Sequence, residues 1–268
     1  MNILETIVAY KKKEVDQSKQ QVPVKQLEQS RHFIRKVTSL SEALTRDGST
    51  GIIAEFKRKS PSKGMINANA DVLDVTSSYA LNGAAALSVL TDNHFFGGTQ
   101  DDLTKARVNN VPILRKDFII DEYQIVEARA IGADVILLIA ACLTTAEVER
   151  LAAFAKSLQL EVLLEIHNEE ELGHICDDCD VVGVNNRDLK KFDVDINRSI
   201  MLSGKIPDAK IKISESGISD TDTIHRLRSF GYKGFLIGEN FMRQENPSVA
   251  FASFVKHLKT TPSAYGGR

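Results

Sequence analysis

At 268 residues, 43% hydrophobic and 26% charged, the chain is long enough for one α/β barrel and can bury a large core. A formal net charge of −2 predicts no broad attraction to nucleic acid or to a membrane surface, and leaves a small anionic substrate to a few local lysines. No apolar run reaches the roughly 18 residues of a membrane-spanning helix, and three cysteines, an odd count, point to a reducing, cytoplasmic setting.

The opening stretch MNILETIVAYKKKEV lacks the order of a secretory leader, in which charge precedes the apolar segment, and reads as part of the folded protein. Ile3, Leu4, Ile7, Val8 and Val15 fall at mostly helical spacing, while the lysines at 11–13 read as a solvated helix face. Pro23 breaks the chain, and LEQSRHF and TSLSEALTR read as short helices. Residues 1–50 are expected to be a helical extension, because so short a piece buries too little surface to be a domain.

Residues 51–260 settle into one rhythm of apolar run, loop and helix-period stretch. The expected strands are Ile52–Phe56, Ala86–Leu90, Pro112–Lys116, Val135–Ile139, Glu161–Ile166, Val181–Asn185, Lys210–Ser214 and Gly234–Ile237. Most are continuously apolar, as parallel strands buried on both faces are. Helix signals lie between them: Asp121 before EYQIVEARA with Gly132 after it, Thr144 or Thr145 before AEVERLAAFAKSL, and Ser219 or Asp220 before TDTIHRLRSF with Gly231 after it. A doubly wound open sheet shows the same alternation. Eight units and no dinucleotide fingerprint favour a single-domain (β/α)₈ TIM barrel with an N-terminal helical extension.

In such a barrel the C-terminal strand ends carry the chemistry. Strand 1 ends on Glu55 and Lys57, two apart and so on one side of the strand. Strand 3 ends on Lys116, strand 5 on Glu165 and strand 6 on Asn185. Strand 7 gives Glu215 and Ser216, and strand 8 gives Gly238, Glu239 and Asn240. A rim salt bridge is the alternative reading for any one of these. The loops after strands 7 and 8 are the barrel's usual phosphate site, and Ser216-Gly217 and Gly238 offer backbone N–H groups there, so a phosphorylated small molecule is the expected partner. HICDDC sets His174, Cys176 and Cys179 at ligand-like spacing but lacks a fourth ligand, so no metal is expected. His167 can tune Glu165, cap a helix or make a rim hydrogen bond.

The segments IAEFKRKSPSKG, LTDNHFFGG, PILRKDFIID, LLEIHNEEEL, GVNNRDL, KISESGI and FLIGENFMR, in this order along the whole chain, resemble the run of motifs in indole-3-glycerol-phosphate synthases. The resemblance implies a cofactor-free carboxy-lyase of tryptophan biosynthesis. Its substrate would be 1-(2-carboxyphenylamino)-1-deoxyribulose 5-phosphate, which is closed to an indole with loss of carbon dioxide and water. Lys116 matches the family's general acid, and such an acid works best with a pKa lowered by burial or by a neighbouring cation. Glu165 matches the acid/base glutamate, and either Lys57 or Glu165 serves the dehydration. Glu55 is expected to orient Lys57 or to stabilise iminium-like charge, and Lys57 to meet an anionic group of the substrate.

The same resemblance gives Asn185 a substrate hydroxyl or Glu165 to position, and Ser60 the substrate carboxylate. Ser216, counted with the catalytic set, matches the phosphate loops together with Gly217 and Gly238. Phe118, with Phe95 or Phe96, would face the anthranilate ring or pack beneath the loop. Arg187 would contact the carboxylate or make an outward salt bridge. Glu239 stands where the family often has serine. A carboxylate there repels phosphate, so its side chain is expected to turn away, leaving a backbone contact, with Asn240 supplying the polar side chain. A monomer or weak homo-oligomer is expected. A Schiff-base aldolase using Lys116 or Lys57 is the competing enzyme reading. A non-catalytic phosphate-binding scaffold would not need Glu55, Lys57, Lys116 and Glu165 at one mouth.

Overall fold

The computed structural model describes residues 3–188 and 192–261. The first two residues of the extension and Leu189, the last of GVNNRDL, lie outside them. Eight parallel strands close into a barrel. They are β1 (Ile52–Phe56), β2 (Ala86–Leu90), β3 (Ile113–Lys116), β4 (Val135–Ile139), β5 (Glu161–Ile166), β6 (Val181–Asn185), β7 (Ile211–Glu215) and β8 (Gly234–Ile237). Closure is made by β1 against β8, with Ala54 opposite Ile237.

The two side-chain parities of each strand go to two different cores. Ile53, Leu114, Leu137, Leu163, Ile213 and Leu236 fill the barrel interior. Ile52, Leu87, Ile136, Val162, Val182 and Phe235 face the helices. This double burial is why the strands read as unbroken apolar runs. Each such side chain contributes roughly 1.5–3 kcal/mol on leaving water. Two residues further along the interior parity, apolar gives way to Glu55, Lys116, Glu165, Asn185 and Glu215. Strand register alone therefore brings these five to the mouth.

The barrel helices are α4 (Val72–Leu81), α5 (Gln100–Ala106), α6 (Glu122–Ile131), α7 (Thr145–Ser157), α8 (Asn197–Leu202), α9 (Thr221–Ser229), α10 (Glu239–Met242) and α11 (Pro247–Thr260), following α1–α3 of the extension. Asp121 caps α6 and Gly132 ends it. Thr144 caps α7 in a capping box with Glu147, and Asp220 rather than Ser219 caps α9. Two strands differ from expectation: β3 starts one residue later, and β7 is shifted by one residue at both ends. Pro112 has no N–H to donate, so β3 starts at Ile113. The ladder of β7 runs on to Glu215, which pairs with Asn185. The crossover from β5 to β6 carries only a 3₁₀ turn, Glu170–His174.

The extension spans the barrel from mouth to base. Helix α1 (Ile3–Gln21) buries Ile7, Lys11 and Val15 on one face. Pro23 precedes α2 (Val24–Leu27), and α3 (Leu40–Thr45) is capped by Ser39. Leu40 and Leu44 of α3 join the interior core at the base, where Glu161 at the start of β5 accepts from the Leu40 and Ser41 amides. LEQSRHF, expected as a helix, forms successive turns after Leu27 instead. The solvated-face expectation for lysines 11–13 is also corrected. Lys12 and Lys13 are exposed, but Lys11 is fully buried. Its i, i+4 relation to Ile7 and Val15 turns it inward, and Asp92, Asp117 and Glu14 meet its ammonium at 2.9, 3.0 and 2.9 Å.

Candidate active site

A cavity of about 390 Å³ opens at the C-terminal ends of the strands, and the strand-end residues expected from sequence line it, together with Ser60, Phe118, Arg187 and Gly217. Ile3, Leu4 and Ile7 of α1 form part of its wall. At its floor Lys116 Nζ donates to Glu165 Oε2 at 2.7 Å and to Glu215 Oε2 at 3.3 Å. Asn185 Nδ2 donates to the other Glu165 oxygen at 3.2 Å. Across the mouth Lys57 Nζ lies 2.6 Å from Glu55 Oε1, as the orienting role for Glu55 requires.

These groups titrate as a cluster. Burial alone would push the Lys116 pKa down, but Glu165, Glu215 and Glu55 outweigh it and hold the amine well above the usual lysine range. Carboxylates rather than a second cation converge on Lys116, so the resting site does not lower it. Burial likewise opposes ionisation of Glu165, yet Lys116 and His167 keep it below the usual carboxylate range. Glu215 goes the other way. Burial, with the charges of Glu165 and Glu55, raises it to about 7 against the pull of Lys116. The pit therefore sets the two carboxylates that hold Lys116 apart, with Glu215 holding a proton more readily than Glu165.

Glu215 is a residue to which sequence reasoning assigned no role, although it stood at a strand end. Its burial depends on a partner strand: a Cβ on Gly183 would lie 2.3 Å from Glu215 Oε1. Glycine at this point of β6 is what admits the carboxylate. Asn186 was also missed. It donates to the Ser214 hydroxyl at 2.9 Å and to the Glu215 and Ser216 carbonyls, each at 3.0 Å. It thereby fixes the turn in which Ser216 and Gly217 have φ of 67° and 78°. His167 is drawn to carboxylates on both sides, Glu165 Oε1 and Glu171 Oε2, each at 3.2 Å.

The far wall is built by the turns after β7 and β8. Glu239 is among the residues that line the cavity. Its carboxylate accepts from Arg187 Nη2 at 3.2 Å and lies 4.0 Å from Lys63 Nζ. Two cations thus balance the charge where an anion would enter. Arg187 consequently pairs across the wall, and Asn240 Nδ2 donates to the Ser219 carbonyl at 3.4 Å. Phe96 and Phe118 share the wall with ring centroids 6.0 Å apart. Phe95 instead packs edge-on against Tyr10 of α1, 5.6 Å away. His174 turns to the Leu143 carbonyl while Cys176 and Cys179 face each other at 3.4 Å, so the HICDDC residues do not converge.

Comparison with known proteins gives three kinds of match. Residues 4–254 match the family model described as indole-3-glycerol phosphate synthase. Indole-3-glycerol phosphate synthase of Bacteroides thetaiotaomicron is 47% identical over 259 residues, which is 96% of this chain and 99% of that one. Those of Polaromonas sp. and Salinibacter ruber are 44% and 43% identical, each over 94% of this chain and over 97% and 94% of their own lengths. The 3-hexulose-6-phosphate synthase of Salmonella typhimurium, at 12% identity and a TM-score of 0.62 over 78% of this chain and 98% of its own, shares the fold. With its family match running from α1 into α11, the chain belongs to the indole-3-glycerol phosphate synthase family.

Proposed function

We propose that this cavity closes the indole ring of 1-(2-carboxyphenylamino)-1-deoxyribulose 5-phosphate, releasing carbon dioxide and water, as a carboxy-lyase step of tryptophan biosynthesis. The observation that carries the residue-level reading is the Lys116–Glu165 pair, 2.7 Å apart in a cavity that also holds Lys57, Phe118 and the two glycine-bearing turns. The substrate has an aromatic acid at one end and a phosphate at the other, and the cavity offers a matching wall for each. Phe118 and Phe96 take the ring, while Lys57 and Ser60 take the carboxylate. Ser216, Gly217, Gly238 and Asn240 take the phosphate, with Arg187 and Lys63 neutralising Glu239 beside it.

Ring closure puts negative charge on the C2' carbonyl oxygen, and Lys116 donates a proton to it. Glu55 steadies the iminium-like charge left on the nitrogen side. Loss of carbon dioxide then restores the aromatic ring. Glu165 starts the cycle ionised, held by Lys116, Asn185 and His167, and so acts as the base that removes the ring proton. Lys57 is then the acid for the departing hydroxyl. No described helix is long and apolar enough to cross a membrane. Three free cysteines support a reducing, cytoplasmic setting. The test is indole fluorescence from the named substrate with the purified protein. Folded protein that forms no indole refutes the reading, and a borohydride-trapped adduct would favour the aldolase.

A further inference from the structure

The crossover from β5 to β6 ends in a tight turn that holds two thiols face to face. The Cys179 backbone N–H donates to the Cys176 carbonyl at 3.2 Å, with Asp177 and Asp178 at the corner. A hydrogen-bonded turn of this kind brings its first and fourth Cα atoms within about 7 Å, near the span that a disulfide bridges. The two Sγ atoms lie 3.4 Å apart. His174 of the same segment is turned instead to the Leu143 carbonyl, 3.0 Å from its Nε2. The turn is also clamped from outside. Lys210, just before β7, donates from Nζ to the Asp177 and Cys179 carbonyls at 2.9 and 2.8 Å.

We propose that Cys176 and Cys179 form a reversible redox-modification site, which takes a small disulfide as its oxidant and closes to a disulfide of its own. In a reducing setting the pair rests as two thiols. Closing the bond brings the sulfurs from 3.4 Å to about 2.05 Å, a side-chain rotation on a backbone that the turn and Lys210 already fix. The two thiols differ in access. Cys176 is partly exposed, whereas Cys179 is fully buried in the core between strands and helices. Burial pushes the Cys179 thiol up to about 12, which leaves the first attack on an external disulfide to Cys176.

The two steps balance. Cys176 displaces one sulfur of the oxidant, forming a mixed disulfide and releasing one small thiol, which carries the Cys176 proton. Cys179 then attacks the Cys176 sulfur, the mixed disulfide breaks, and the Cys179 proton leaves with the second small thiol. Two protein thiols are oxidised and one external disulfide is reduced to two thiols. The ring so closed encloses only Asp177 and Asp178, so it restrains the unfolded chain little and gives a bond that a thiol reductant reopens. The pair stands just before β6, at the end of the barrel opposite the cavity, so its oxidation leaves Lys116 and Glu165 in place.

The test exposes the folded protein to cystamine and follows its intact mass, with free thiols counted after denaturation. Wild type should pass from three free thiols to one, lose two hydrogens and keep no cystamine adduct, and digestion should yield a peptide joining Cys176 to Cys179. Cys179→Ala should stop at a mixed disulfide on Cys176. Cys176→Ala should react at Cys179 about 10-fold more slowly, or slower still, than Cys179→Ala does at Cys176. Dithiothreitol should return all three wild-type thiols. A stable adduct on wild type, a link to Cys142, or three thiols left intact under conditions that oxidise the denatured chain would overturn the site. These wild-type readouts stand by themselves if Cys179→Ala does not fold.

Discussion

Replacing Lys11 by methionine removes a buried ammonium from between the buried carboxylates of Asp92 and Asp117 and the partly exposed one of Glu14. Breaking a buried ion pair from one side costs about 3–5 kcal/mol, because the partner is left charged and unsolvated. Asp117 keeps Arg115 Nη2 at 3.1 Å and the Thr91 hydroxyl at 2.6 Å, and Asp92 keeps the Phe95 amide at 2.8 Å. The loss therefore belongs near the lower end, about 3 kcal/mol. For a chain of this size that is roughly 6–12 °C in Tm. The sign of its pH dependence follows from Asp117. Burial opposes its ionisation, but Lys11 and Arg115 hold its pKa down to about 2, below the ordinary 3.8. The stability this gives is full above 3.8 and lost as pH falls through 2. The Tm gap between wild type and Lys11→Met should be widest near neutral pH and narrow over that acid window. Circular dichroism melts at pH 7 and pH 3 measure it. A gap under about 2 °C at pH 7 would refute the reasoning.

Lys116→Met and Glu165→Gln should each lower kcat by about 10²–10⁴-fold while substrate phosphate still binds, as measured by indole fluorescence and by competition with inorganic phosphate. Loss of binding alone would reverse the roles assigned. Gly183→Ala drives a Cβ towards Glu215 Oε1, only 2.3 Å away, and should lower kcat about 10-fold without changing the oligomeric state or secondary structure. Arg187→Ala unmasks the Glu239 carboxylate beside the phosphate turn, so KM should rise about 5-fold, and adding Glu239→Gln should reverse much of that rise. Glu215 has a folded pKa raised to about 7 from 4.5, so its contribution is present below 4.5 and lost as pH rises through 7. The Tm of Glu215→Gln should therefore gain on that of wild type between pH 5 and pH 8.

The barrel and its site residues were legible because both rest on local periodicity. Interior parity runs Ile53 to Glu55, Leu114 to Lys116 and Leu163 to Glu165, so the residue ending each apolar run had to enter the mouth. What stayed hidden depends on partners far away in sequence. Lys11 sits in a lysine run that looks solvated, and its burial is decided by Asp92 and Asp117, some 80 to 106 positions on. The Lys116 pKa depends on three carboxylates from three other strands, of which sequence can name the members but not the 2.7 and 3.3 Å separations. The turns in LEQSRHF follow from packing against the base of the barrel, where Ser30 donates to the Ala130 carbonyl and Arg35 to Asp134.

The raised pKa of Lys116 bears on why a strongly held proton suits this chemistry. An acid that gave up its proton in the resting site would meet the incoming substrate as a neutral amine, free to attack the carbonyl and form an imine. Glu165 and Glu215 prevent this by keeping the amine charged at 2.7 and 3.3 Å. The proton leaves only when a stronger base appears within reach, and the alkoxide developing on ring closure is such a base. Once it has left, the charge balance of the pit shifts by one unit, and the carboxylates that held the ammonium face one another without it. Glu215, already at about 7, then takes up a proton more readily still. The same carboxylates that delay the transfer thus favour reprotonation of the site afterwards. Glu215→Gln separates the two effects. It removes one restraint on the lysine proton but also one acceptor, so borohydride trapping of an imine on Lys116 should increase in this variant. An amount of trapping equal to wild type would mean that Glu165 alone keeps the amine protonated.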